Sequence, residues 1–229
     1  MRSAIVFLIY VAAIALLSPV ILFCMIFGIR DPLLAIGKGL LVIGKAVLGI
    51  RLEVTGLDLF DPRGQYVFMP NHLSFLDGPL MILIIPQKAR VIMKKKVFAL
   101  PLVGWAMLHA GFVPVDRKGR DEGRRSIEKA SRMMRERGYS FLIFPEGTRS
   151  LDGKLQALRR GGFFLAVQGG GVPIVPVTIR GALDLMPKGR FRARAGTIQV
   201  EFHEPIPVGG RTVEDIPDLI AQVASAIQS

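Results

Sequence analysis

The sequence predicts an α/β fold, a mixed, mostly parallel sheet covered by helices on both faces, with membrane-seeking segments at its front. Three observations carry this. From residue 52 onward, short apolar runs of strand length alternate with helical patterns. Residues 4–29 contain no charged side chain, with Arg2 before them and Arg30 after. A second apolar stretch, 33–50, is interrupted only by Lys38 and Lys45.

The first stretch is long enough for a hydrocarbon core of about 30 Å. Ala13 and Ala15 make a small-x-small pair, as at a signal cleavage site. Apolar sequence runs on through Phe23 and Phe27, past the about 7–15 residues of a signal h-region, so a retained attachment is expected. Pro19 interrupts the backbone ladder in mid-run, which leaves a kinked span and a re-entrant hairpin both open. In the second stretch Lys38 and Lys45 fall on one helical face, and Gly37 and Gly44 repeat with the same spacing. That stretch is expected to be a membrane-embedded or surface-lying helix beside the first, with a packed helix of the globular domain as the other reading. The chain therefore divides into anchoring helices, 1–50, and a globular domain, 51–229.

Within that domain Leu52 and Val54 alternate with Glu53 and Thr55, predicting a strand. DPRG at 61–64 is a turn and 66–69 a buried strand. Asp77 is placed to cap a helix over 80–85, which Pro86 stops. A strand over 90–94, a helical segment over 98–109 and a short strand over 111–115 follow. Residues 122–137 form an amphipathic helix with Ile127, Ala130 and Met134 inward, closed by Gly138. Then come a strand at 140–144, a helix at 155–168, strands at 173–179 and 197–202, and a last helix from Thr212 to Ile227.

Hydrophobic residues make up 51% of the chain and the mean hydropathy is +0.43. Lys and Arg number 30 against 18 acidic residues, for a net charge of +12. Nucleic acid is the usual partner of so basic a chain. The apolar front points instead to the headgroups of an anionic bilayer, and nucleic acid is not expected. The one cysteine, Cys24, lies in the first apolar run, so there is neither an intrachain disulfide nor a thiolate metal framework.

Two segments carry the chemistry. NHLSFLD at 71–77 follows an apolar strand and offers His72 as a general base with Asp77 as the carboxylate that could fix its tautomer. PEGTRS at 145–150 ends a second strand. Its glycine turn around Gly147 and Thr148 exposes backbone N–H groups able to hold an oxyanion or a phosphate. Arg149 adds a fork suited to a phosphate monoester, and Glu146 would orient that arginine or position a substrate hydroxyl. Lys94, with Lys95 and Lys96, follows a strand, where α/β sheets meet ligands. Arg117 closes GFVPVDR, and Arg159 and Arg160 also stand to face an anion.

NHLSFLD, GFVPVDR, FPEGTRS and VPVTI, in this order, resemble the four blocks of the glycerolipid acyltransferase family, whose best-known members make phosphatidic acid from lysophosphatidic acid. The resemblance runs over residues 52–179. It implies His72 as base and Asp77 as its partner, Gly147 and its neighbours lining the acyl-transfer and phosphate site, and Arg149 with Lys94 on the phosphate. It associates Arg117 with the glycerol phosphate and Pro176 with the acyl chain or the shape of the site. It implies an acyltransferase domain over 51–229 behind a two-helix membrane anchor, at the cytoplasmic face of an inner or plasma membrane. The co-substrate would be acyl-CoA or acyl carrier protein, with no metal and no bound cofactor. The sequence departs from the family pattern at Pro70, before Asn71, and at Met93 and Lys96, around Lys94 and Lys95.

Other classes fit less well. No G-x-S-x-G elbow is present, so Ser74 reads as structural. His109 and His203 have no metal-ligand spacing to His72, and there is no P-loop. A non-catalytic lipid-binding module on the same fold remains as the alternative, along with transfer to another acceptor such as glycerol-3-phosphate, a lysophospholipid or a lyso-aminolipid.

Overall fold

The computed structural model describes residues 1–116 and 120–228. A seven-stranded sheet has the order β1-β7-β6-β2-β5-β3-β4. Its strands are β1 (Ile50–Thr55), β2 (Val67–Pro70), β3 (Ala89–Lys94), β4 (Val113–Val115), β5 (Ser140–Leu142), β6 (Ile174–Arg180) and β7 (Gly196–Phe202). Among the described strands only the β6–β7 pair is antiparallel. The predicted mixed, mostly parallel sheet is what the chain builds.

The burial patterns explain it. All four residues of β2 are buried, as expected where helices cover both faces of a parallel sheet. Phe68 faces a core with Leu142, Val175, Val177 and Ile198. Its neighbours Val67 and Met69 face the opposite core with Phe141 and Ile174. The first core is covered by α3 (Asp77–Ile84) and by the end of α2 (Asp31–Leu48). The second is covered by α5 (Arg120–Arg137), α6 (Gly161–Gln168) and α7 (Ile216–Gln228). Ile127, Ala130 and Met134 are the inward residues of α5, as its periodicity predicts.

The front of the chain is two helices, but only α1 (Arg2–Ile26) is long and apolar enough to cross a membrane among the described residues. This corrects the expected two-helix anchor. α2 carries Asp31, Lys38 and Lys45 and packs on the domain. Lys38 Nζ donates to the Ile85 carbonyl at 3.1 Å, and Leu48 joins the core. α1 is tied down at both ends. Ser3 Oγ accepts from Ala193 N–H at 3.0 Å, while Leu17, Ile21 and Cys24 pack with Leu33, Leu102 and Ala110 near α4 (Val103–His109). Most of its remaining surface is exposed and apolar, including Phe7, Leu8, Leu16, Phe23 and Ile26.

Three further expectations are adjusted. The segment at 98–109 splits at Pro101 into a 3₁₀ turn (Lys95–Ala99) and α4. The helix expected over 155–168 begins only at Gly161, because Gln156 and Arg159 spend their N–H groups on the PEGTRS loop. The last helix starts at Ile216 rather than Thr212, whose N–H bonds Asp215 Oδ2 at 2.7 Å in a preceding turn.

Candidate active site

The loops that follow β2 and β5 leave neighbouring parallel strands at the same edge of the sheet, and β3 delivers Lys94 to that edge. Carboxyl ends of parallel strands are where such sheets place ligand sites. The first loop is fixed by Asn71, which is buried and bonds both the N–H of Ile179 (2.7 Å, to Oδ1) and its carbonyl (3.0 Å, from Nδ2).

His72 Nδ1 lies 2.9 Å from Asp77 Oδ2. The same oxygen accepts the N–H groups of Leu73 and Ser74, each at 2.7 Å. Asp77 was expected to cap its helix. Its carboxylate turns back onto the loop instead, and α3 has no side-chain cap. The tautomer follows by hydrogen-bond accounting: an oxygen already accepting two N–H bonds is an acceptor toward the ring as well, so Nδ1 carries hydrogen and Nε2 keeps a lone pair. The ring stacks on Phe144, with centroids 4.0 Å apart. The carboxylate is fully buried while the imidazole is 19% exposed, so the base reaches outward and its partner does not. Ser74 is structural, its hydroxyl donating to the Met186 carbonyl at 2.7 Å.

Glu146 does not face outward with Arg149. It is buried, Oε1 accepts the N–H of His72 at 2.6 Å and Oε2 the N–H of Gln156 at 2.9 Å. With both oxygens committed to backbone, it acts as a clamp between the two loops, not as a substrate contact. Burial pushes its carboxyl above the ordinary range, and the N–H bonds from Gln156 and His72 oppose that shift. A second tie joins the loops where Ser150 N–H donates to the His72 carbonyl at 2.8 Å. His72 and Arg149 therefore branch from backbone one residue apart across that bond.

Gly147 has φ +73°, and a Cβ there would stand 2.7 Å from Arg159 Nε and 2.9 Å from its Cδ. Only glycine permits both the turn and the close approach of that guanidinium. The Gly147 N–H closes the turn onto the Phe144 carbonyl at 3.1 Å, so it is not the free donor that the sequence suggested. Among the described residues the Thr148 and Arg149 N–H groups have no protein acceptor, and they are the donors left to an incoming anion. Lys188, a residue the sequence reading missed, donates from Nζ to Thr148 Oγ1 at 3.1 Å and to the Arg149 carbonyl at 3.5 Å. No local pattern points to it, because the contact spans 40 residues. Arg159 and Lys188 thus flank the turn that carries Arg149. A groove of about 910 Å³ opens nearby, lined by Leu151, Leu183, Pro187 and Phe191 together with Arg2 and Arg190.

Of the remaining candidates, Lys94 is exposed at the end of β3. Arg117 lies outside the described residues. Pro176 is buried within β6 opposite Met69, not at the loop edge. It sits where the pairing shifts between Ile174↔Ile206 and Val177↔Phe202, a bulge in which its missing N–H costs nothing. His203 is bound to Thr178 Oγ1 at 2.8 Å, away from the loops.

The sequence matches the Acyltransferase family over residues 51–180. It is 33% identical over 174 residues to the 1-acyl-sn-glycerol-3-phosphate acyltransferase alpha of Homo sapiens, covering 76% of this chain and 61% of that protein. It is 38% identical over 143 residues to the chloroplastic 1-acyl-sn-glycerol-3-phosphate acyltransferase BAT2 of Brassica napus, covering 61% and 40%. The chain thus spans about 60% or less of the length of these relatives. The crystal structure of the 1-acyl-sn-glycerophosphate (LPA) acyltransferase PlsC of Thermotoga maritima superposes with a TM-score of 0.75 at 26% identity, covering 100% of this chain and 97% of that one. A family match across more than half the chain, over the residues that build both site loops, leads to one conclusion: the chain belongs to the acyltransferase family.

Proposed function

We propose that the protein is a membrane-bound O-acyltransferase that moves an acyl group from acyl-CoA or acyl carrier protein to the free sn-2 hydroxyl of lysophosphatidic acid, giving phosphatidic acid. The observation that carries this is the pairing of His72 with buried Asp77 on a loop tied by Ser150 to a turn ringed with cations. Nε2 of His72 takes the proton from the lysolipid hydroxyl as that oxygen attacks the thioester carbonyl. Asp77 stabilises the imidazolium that forms. The tetrahedral oxyanion collapses with loss of the thiolate, which takes up the proton from His72. The free N–H groups of Thr148 and Arg149 are suited to a developing oxyanion or to the substrate phosphate. Arg149, Arg159, Lys188 and Lys94 supply positive charge for a phosphate monoester. No covalent acyl-enzyme, metal or bound cofactor enters this scheme.

The apolar surface of α1 supports attachment to the bilayer, where lysolipid and product both reside, and the basic composition suits an anionic one. The relatives named above as acting on 1-acyl-glycerol-3-phosphate support the choice of acceptor. The test is an acceptor panel with purified protein and labelled acyl thioester, comparing lysophosphatidic acid, glycerol-3-phosphate and lysophosphatidylcholine with acyl-CoA or acyl carrier protein as donor. Lysophosphatidic acid is expected to give the highest kcat/KM. A clear preference for lysophosphatidylcholine would refute the acceptor, and transfer to none of them would favour a lipid-binding module.

A further inference from the structure

A second cavity, of about 370 Å³, lies at the end of α1 opposite Ser3 and is lined by Arg30, His109, Lys129, Arg132, Glu136 and Arg137. The sequence dictates this clustering. Lys129, Arg132 and Glu136 recur at helical spacing, so one stripe of α5 faces the cavity. Arg30 comes from the α1–α2 turn and His109 from the last turn of α4. Gly111, at φ +98°, forms part of the wall, and a Cβ there would stand 3.3 Å from Arg90 Nε.

Around this cavity the hydrogen-bond accounting fails to close. Arg30 Nε and His109 Nε2 are buried without a hydrogen-bond partner, and so is Arg90 Nη2, which has only the Asp31 carboxylate at 4.0 Å. Buried polar groups nearly always have one, and here three that do not lie close together. Charge is unbalanced in the same place. Four cations of the lining face one acid, and none of Arg30, Lys129, Arg132, Glu136 and Arg137 forms a salt bridge among the described residues. The nearby Asp31 is engaged by Lys88 at 3.0 Å and stands 4.0 Å from Arg90 Nη2. Burial pulls the Arg90 guanidinium below its ordinary range, Tyr139 and Asp31 oppose that shift, and the charge of Arg30 adds slightly to it.

The cavity is not the catalytic site. It lies beside the residues that precede β3, β4 and β5, whereas His72 and the TRS turn follow the strands at the opposite edge. Ile26, Phe27 and Leu108 expose apolar surface beside it.

We infer that this cavity is a second anion site, which binds the phosphate of an anionic phospholipid headgroup where α1 ends. The inference rests on the cavity alone and does not require the acyl-transfer reading. Free phosphate offers the same chemistry, and the experiment separates the two sources. The full-length protein in uncharged detergent is unfolded thermally with dioctanoyl phosphatidylglycerol, dioctanoyl phosphatidylcholine or inorganic phosphate. At a tenfold excess over its dissociation constant, phosphatidylglycerol should raise Tm by about 3–6 °C. The triple variant Arg30→Gln/Lys129→Gln/Arg132→Gln should lose that shift, and Arg149→Ala should keep it. Inorganic phosphate that reproduces the shift with the same variant dependence would support the site and name free phosphate as the source. An equal shift with phosphatidylcholine, a shift lost in Arg149→Ala but kept in the triple variant, or no shift with either anion would overturn the inference.

Discussion

The two loops at the carboxyl edge of the sheet and the helical front of the chain use polar groups in opposite ways. Between the loops the polar groups mostly pair with one another, apart from Asp77 Oδ1 and the Thr148 and Arg149 N–H groups. Asp77 Oδ2 holds three, Glu146 joins two backbone segments, and Ser150 ties the loops together. Along α1 the surface is apolar and exposed, and the four cations near its far end share one acid, Glu136, with which none forms a salt bridge among the described residues. The first region supplies its own partners because the chemistry needs one fixed imidazole geometry. Under the proposed second anion site the second region is completed from outside the chain, and a bilayer with anionic headgroups has the matching chemistry.

Breaking the loop network should give the largest effect. Asp77→Asn keeps the size of the side chain but replaces an all-acceptor oxygen pair by an amide, removing the charge that stabilises the imidazolium. Turnover should fall by about 10²–10⁴-fold, the usual contribution of a positioned base. Steady-state kinetics checks this, and a loss under tenfold would mean that His72 works without its partner.

Glu146→Ala sharpens the comparison by removing a clamp rather than a reacting group. The His72 and Gln156 N–H groups would lose their acceptor, at about 1–3 kcal/mol for each one left buried and unpaired. Thermal unfolding should show the loss. The sign with pH also follows. The folded carboxyl titrates above its unfolded value of about 4.3, so the fold binds the extra proton between the two. The contribution of this group is fullest below the unfolded value and declines as pH rises through the folded one. The difference in stability between wild type and Glu146→Ala should therefore shrink with rising pH across that window. A difference that grows instead would contradict the burial argument.

What the sequence made legible divides along the same line. Strand positions and the inward face of α5 follow from apolar periodicity, which local pattern encodes. The pairing of His72 with Asp77 was legible because both lie on one short loop. The inward turn of Glu146 was not, since its partners are the backbone of residues distant in sequence. Lys188 was hidden for the same reason. The second helix was misread because a window of apolar residues looks alike whether lipid or α3 covers it. Only the packing shows that Lys38 reaches the Ile85 carbonyl at the end of α3.

The central claim is that the His72 base and the cationic TRS turn address one lipid headgroup. The most direct measurement is kcat/KM of Arg149→Ala on lysophosphatidic acid and on a monoacylglycerol, which offers a comparable hydroxyl without the phosphate. Loss of one charge-assisted contact of about 1.5–3 kcal/mol should cost roughly 10- to 150-fold on the phosphorylated acceptor and little on the other. Equal losses on both acceptors would contradict the account.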